Sequence, residues 1–254
     1  MCLVDDDHCL ASLEPVRGHM VTEHAPQVRF RGRPFRCQAE FLGQFEKQLA
    51  ALRYWFSGRG YYLALDAMEY ASRFHTGTRK DGLTPEFQHQ LSIAHHLRSL
   101  EKNLMFAEET LAAVFLHDVP EDFDIGFEEI ESRFGPRIKN AVMLLTKKHR
   151  GTEKAKEGYF KAMAEDPIAS LVKGGDRVHN IQSMVGVFSQ EKQKKYMEEA
   201  EGYIIPMLKD ARRKFPRQEA AYENIKFFMA SQIDLIRAIH AASAGNEEVK
   251  ILAV

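Results

Sequence analysis

Leu111-Ala112-Ala113-Val114-Phe115-Leu116-His117-Asp118-Val119-Pro120-Glu121-Asp122 is the stretch from which the fold of this 254-residue chain is read. Six apolar residues in succession suit a buried helix, and a histidine and an aspartate follow at its end. Charged groups seldom go inside unpaired, so two adjacent metal-capable side chains there need an explanation. Imidazole plus carboxylate is a mixed nitrogen and oxygen donor set suited to a first-row divalent cation. Glu121 and Asp122, three or four residues on, would stand near such an ion as acid or base without binding it. The alternative is a surface helix end with solvated acids.

Outward from that stretch the helical period continues. Leu63, Ala67, Tyr70, Ala71 and Phe74 fall at i, i+4, i+7, i+8 and i+11, one apolar face. Breakers fill 76–85, and the period returns at about 89–104, 108–118, 127–134 and 137–147. Asp166 before Pro167 is an N-cap followed by a first-turn proline, and a long helix is expected at about 217–242. No segment shows strand alternation flanked by hairpin turns, so the expected class is all-α, about ten helices around a single metal site. The expected organisation is an irregular extension at 1–44, a domain at 45–243 and a tail at 244–254.

Two further strings carry donors. In Lys173-Gly174-Gly175-Asp176-Arg177-Val178-His179-Asn180, a helix would show Asp176, Asn180 and Ser183 on one stripe. A carboxylate ligand with an amide and a hydroxyl beyond it fits a cation bordered by ribose or phosphate; an ordinary polar face is the plainer alternative. His89 opens a helix, and a lone histidine is more often structural than a ligand. His95 and His96 stay unassigned.

Taken together, Gly82, Pro85 and His89, then LHDVPED at 116–122, then GDRVHN at 175–180 resemble the hydrolase domain of the Rel/SpoT alarmone enzymes and their small stand-alone relatives, an HD-superfamily helical bundle. The string from His75 to Gly82, the run from Glu128 to Lys147, and Glu191-Lys192-Gln193 extend the resemblance over roughly 58–210. It implies one divalent cation, usually manganese, on His89, His117, Asp118 and Asp176. It implies Glu121 and Asp122 as the catalytic acids. Arg79 and Lys80 would flank a purine, and Asn180 and Ser183 would lie near ribose and phosphates. Lys147 and Lys161 are added as candidates for countering phosphate charge. The implied reaction removes the 3′-pyrophosphate of guanosine tetra- or pentaphosphate. The alternatives are the same centre acting on an adenosine alarmone, the 2′-phosphate of NADPH or a pyrophosphorylated RNA end, and, in a different class, an inactive nucleotide-sensing or partner-binding module.

The chain departs from that pattern at Gln90, at Gly174-Gly175 and at Pro120. Two glycines loosen a helix by about 1 kcal/mol each or leave room for a close neighbour. Pro120 removes a helical N–H and is expected to end the helix there.

Bulk properties exclude little. With 35 basic and 36 acidic residues the net charge is −1, which gives no global case for nucleic acid or membrane. Only the basic-aromatic run Arg29–Arg36 offers a local nucleic-acid contact, and a packing arm or homo-oligomer contact is the plainer reading. No apolar run approaches the roughly 20 residues needed to span a bilayer. Three cysteines near one end suggest no disulfide framework, and with His8, His19 and His24 they match no compact zinc spacing. The expected setting is cytoplasmic, and the expected partner is a small nucleotide.

Overall fold

The computed structural model describes the backbone of residues 38–251 and the side chains of 42–243. The basic run Arg29–Arg36 and the N-terminal thiols lie outside the described residues. Among the described residues twelve α-helices follow one another: α1 Gln38–Arg59, α2 Tyr62–Ser72, α3 Gln88–Ser99, α4 Ala107–Leu116, α5 Val119–Asp122, α6 Phe127–Phe134, α7 Pro136–Leu145, α8 Lys156–Met163, α9 Pro167–Ser183, α10 Gln190–Glu199, α11 Ile205–Lys214 and α12 Glu219–Ile251. The fold is all-α, and no described helix is long and apolar enough to cross a membrane. Helix α1 already starts inside the 1–44 segment, and α12 continues through most of 244–254.

The core forms around α4. Every residue from Thr110 to Leu116 is buried, and the helix packs against α2, α3, α7 and α9. Such all-round apolarity has no other stable place in water. Helix α9 is the second axis. It starts where Asp166 Oδ1 accepts the N–H groups of Ile168 and Ala169 at 2.9 and 2.7 Å, with Pro167 in the first turn. It then packs against α3, α4, α11 and α12.

The paired glycines of α9 are explained by that crowding. A Cβ on Gly174 would lie 2.8 Å from Ile225 Cγ2, and one on Gly175 would lie 3.1 Å from Ile93 Cγ2. They leave room for close neighbours, α12 on one side and α3 on the other.

Two local features differ from the expectations. A small antiparallel hairpin pairs Lys148-His149 with Thr152-Glu153, turning at Arg150 and Gly151 with φ of 48° and 81°. Two-residue strands are too short to show alternation in a sequence. Pro120 does not end a helix it belongs to. Helix α4 stops at Leu116, and Pro120 sits in the first turn of α5, where its missing N–H is harmless.

Candidate metal centre

Three segments deliver the four candidate donors. His89 stands at the start of α3, His117 and Asp118 form the joint between α4 and α5, and Asp176 lies in the middle of α9. One donor atom each from His89, His117 and Asp176 lies within 4.8 Å of the others, and all three residues are buried. Asp118 Oδ2 adjoins the group, 3.1 Å from His117 Nε2. Three of the four predicted ligands thus form one buried cluster, and Asp118 stands against it through His117.

Local bonding aims these atoms. His117 Nδ1 donates to the Val114 carbonyl at 2.7 Å, which turns Nε2 inward. That nitrogen is buried and has no hydrogen-bond partner among the described residues, because the Asp118 oxygen is close but poorly aligned. A buried lone pair without a partner is costly unless a cation takes it. His89 is gripped at both ring nitrogens, Nε2 at 3.2 Å from Asp176 Oδ1 and Nδ1 at 2.8 Å from His179 Nδ1. Asp176 accepts from Asn180 Nδ2 at 2.5 Å and from Lys173 Nζ at 2.9 Å. The donor set, the burial and the unpartnered imidazole fit a divalent cation.

Electrostatics agree with that fit. Burial works against charge on His117, but Asp118 beside it lifts the imidazole to about 9. Burial would raise the Asp118 carboxyl, and His117 more than offsets this, holding it at about 2. Asp176 is held well below the usual carboxylate range against burial, chiefly by Lys173 and His89. A cation and a proton therefore compete for one lone pair on His117, among carboxylates that stay ionised. Burial, with His89 and Arg79 nearby, drives His179 down to about 3, so it is neutral.

The two expected acids part company. Glu121 Oε2 accepts the backbone N–H groups of Lys147 and Lys148 at 2.8 and 3.4 Å, which ties α5 to the hairpin. Asp122 makes no such bond and lines the 330 Å³ cavity over Asp118 and Asp176. Although its side chain reaches solvent, partial burial and the charges of Asp118, Glu121 and Glu86 push it up to about 6. That value suits a group exchanging protons near neutrality.

A 420 Å³ cavity adjoins this one and is walled by Arg79, Lys80, Asn180, Ser183, Phe188 and Tyr196. The 76–86 loop is closed by Arg79 N–H on the Thr84 carbonyl at 2.8 Å and by Glu86 N–H on the Gly77 carbonyl at 2.9 Å. Asp81 Oδ1 accepts from the N–H groups of Leu83 and Thr84, both at 2.9 Å, a turn favoured by aspartate. Arg79 reaches Ser183 Oγ at 3.5 Å, and Lys80 Nζ stands 5.2 Å over the Phe188 ring. Lys147 lines a third cavity of 220 Å³ beside His117 and pairs with Glu153 at 2.8 Å. Lys161 stays on the exposed face of α8, outside all three.

Sequence reasoning missed Lys173, His179, Phe188 and Tyr196. The first two lie three residues either side of Asp176, and that helical spacing was a usable signal. Phe188 and Tyr196 follow no pattern that points at α9.

A family model described as an HD domain matches residues 67–203, and the chain belongs to the HD domain family. Its relatives there are of the Rel/SpoT type. The guanosine-3′,5′-bis(diphosphate) 3′-pyrophosphohydrolase of Aquifex aeolicus is 35% identical over 146 residues, 56% of this chain and 20% of the relative. A probable enzyme of the same name from Synechocystis is 34% identical over 146 residues, 54% of this chain and 19% of its own length. The chain thus spans about a fifth of the length of these curated relatives. A solved structure of a metazoan ortholog of SpoT, described as hydrolysing ppGpp, aligns with a TM-score of 0.50 at 26% identity, covering 64% of this chain and 93% of that one.

Proposed function

We propose that this chain is a metal-dependent phosphohydrolase that removes the 3′-pyrophosphate of guanosine tetra- or pentaphosphate, releasing pyrophosphate and GDP or GTP, with manganese as the ion. The observation that carries this reading is the unpartnered, buried His117 Nε2. It faces His89 and Asp176 beside a cavity large enough for a nucleotide. The names of the relatives support the choice of phosphate.

When bound on His89, His117, Asp118 and Asp176, the cation would lower the pKa of water and offset charge on the phosphoryl group. Asp122, poised at about 6, takes a proton from the attacking water. The water oxygen bonds to the phosphorus next to the ribose, the bond from that phosphorus to the 3′ oxygen breaks, and a proton is returned to that oxygen. Lys173 and Arg177, which line the 330 Å³ cavity with Asp122, face the phosphates. Arg79 lays its planar guanidinium against the purine, with Lys80 beside it, while Asn180 and Ser183 meet the sugar. Glu121 holds the 147–148 backbone, so that Lys147 stays at the edge of the centre.

The test is a product assay with added Mn²⁺ on guanosine tetraphosphate, its adenosine counterpart, NADPH and 5′-pyrophosphorylated RNA. Pyrophosphate released from the guanosine compound is the expected result. Orthophosphate from NADPH, with none of the other substrates turned over, would replace the substrate and keep the centre.

A further inference from the structure

The two imidazoles of the centre are held in different ways. His117 gives its spare N–H to a backbone carbonyl inside α4, which cannot move away. His89 is set by another side chain, His179, one helical turn beyond Asp176 on α9. Asp176 and His179 therefore clamp the His89 ring at opposite nitrogens, 3.2 Å at Nε2 and 2.8 Å at Nδ1.

Proton placement follows from chemistry. To offer a lone pair from Nε2, the His89 ring must carry its proton on Nδ1, so that N–H donates to His179 Nδ1. A neutral His179 then carries its own proton on Nε2. Among the described residues that Nε2 has no hydrogen-bond partner, and the half-buried His179 lines the 420 Å³ cavity with Arg79, Asn180 and Ser183. Second-sphere partners of metal-bound histidines are usually carboxylates, carbonyls or water; a second imidazole has a free end.

We propose that His179 is a positioning residue that sets the ring and tautomer of His89 for the cation, and that its other nitrogen donates to an oxygen of the bound nucleotide, so that filling the cavity tightens the metal. The proposal rests on the metal reading above, though not on the identity of the phosphate removed. Binding free energies are reciprocal, so the cation must tighten the nucleotide by the same factor.

The experiment is calorimetric titration of Mn²⁺ into the full chain, wild type against His179→Phe and His179→Asn, with and without guanosine 5′-monophosphate. The nucleotide's own affinity for Mn²⁺ is measured separately and subtracted. His179→Phe fills the space but accepts nothing, and its Mn²⁺ affinity is expected to fall about 10- to 100-fold. His179→Asn keeps an oxygen near the Nδ1 position, so it should hold Mn²⁺ within about threefold of wild type while losing the nucleotide effect. Melting curves of the metal-free variants check folding, with His179→Leu in place of Phe if the latter fails.

Wild-type affinity in His179→Phe, or Asn as weak as Phe, would overturn the positioning role. A nucleotide effect equal in wild type and His179→Asn, or absent from wild type, would overturn the link to the cavity. If Mn²⁺ behaves as expected while no guanosine substrate is cleaved, the proposed function fails and this inference stands.

Discussion

The candidate metal centre and the neighbouring 420 Å³ cavity share helix α9 yet are built on opposite terms. Asp176 lines the first, Ser183 two turns later lines the second, and Asn180 between them lines both. Around the centre His89, His117 and Asp176 are buried on α3, just after α4 and on α9, and their other polar atoms are bonded, as in His117 to Val114 at 2.7 Å. Around the cavity the walls are the 76–86 loop and the segment after α9, with looser contacts such as Arg79 to Ser183 at 3.5 Å. Tight packing fixes the geometry that chemistry needs, and loops leave recognition adjustable.

That division can be broken by experiment, and the largest effect belongs to the centre. Asp118→Ala should fold, bind no metal and release no detectable pyrophosphate; full activity in that variant would end the site as drawn. Asp122→Asn should lower kcat by about 10²- to 10⁴-fold, the usual worth of a proton-transferring group. Glu121→Gln keeps an oxygen for the Lys147 N–H and should lose about tenfold or less. Equal losses in the two would return Glu121 to the chemistry.

Below these comes a pH effect. His117 stands at about 9 and must shed its proton to bind a cation. Mn²⁺ affinity should therefore climb with pH below 9, by up to about tenfold per unit, since one proton leaves per ion. Titrations at three pH values between neutrality and 9 check it, and a flat profile would mean that His117 is no ligand.

On the cavity side Arg79→Ala should raise KM about tenfold while leaving kcat nearly unchanged, as expected when stacking and charge on a bound base are lost. A collapse of kcat instead would show that the loop also shapes the chemistry. The smallest effect is on stability alone. Gly174→Ala puts a methyl group 2.8 Å from Ile225 and should cost about 1–3 kcal/mol, a fall of several degrees in Tm.

The helices were largely legible. The 127–134 period matches α6 at both ends, and Asp166 caps α9 as its position implied. Local signals suffice where a helix needs only its own cap and apolar face. The 148–153 hairpin was not legible, because its strands are two residues long. His89 was readable only through a resemblance, since one histidine among several neighbours carries no signal of its own. The separate fates of Glu121 and Asp122 were hidden as well. Adjacent acids look alike in a string, and the Lys147-Lys148 backbone that takes one of them comes 26 and 27 residues later.

The order of residues alone determined an all-helical chain with a buried apolar helix running into His117-Asp118, because periodicity and capping act over a few residues. Tertiary structure decided which atoms meet: that His89 is clamped between Asp176 and His179, that Lys173 neutralises Asp176, and that Gly174 and Gly175 let α12 and α3 close on α9. Those outcomes depend on how helices distant in the chain pack against one another, and contact across such distances is set by the shared core rather than by any neighbouring residue.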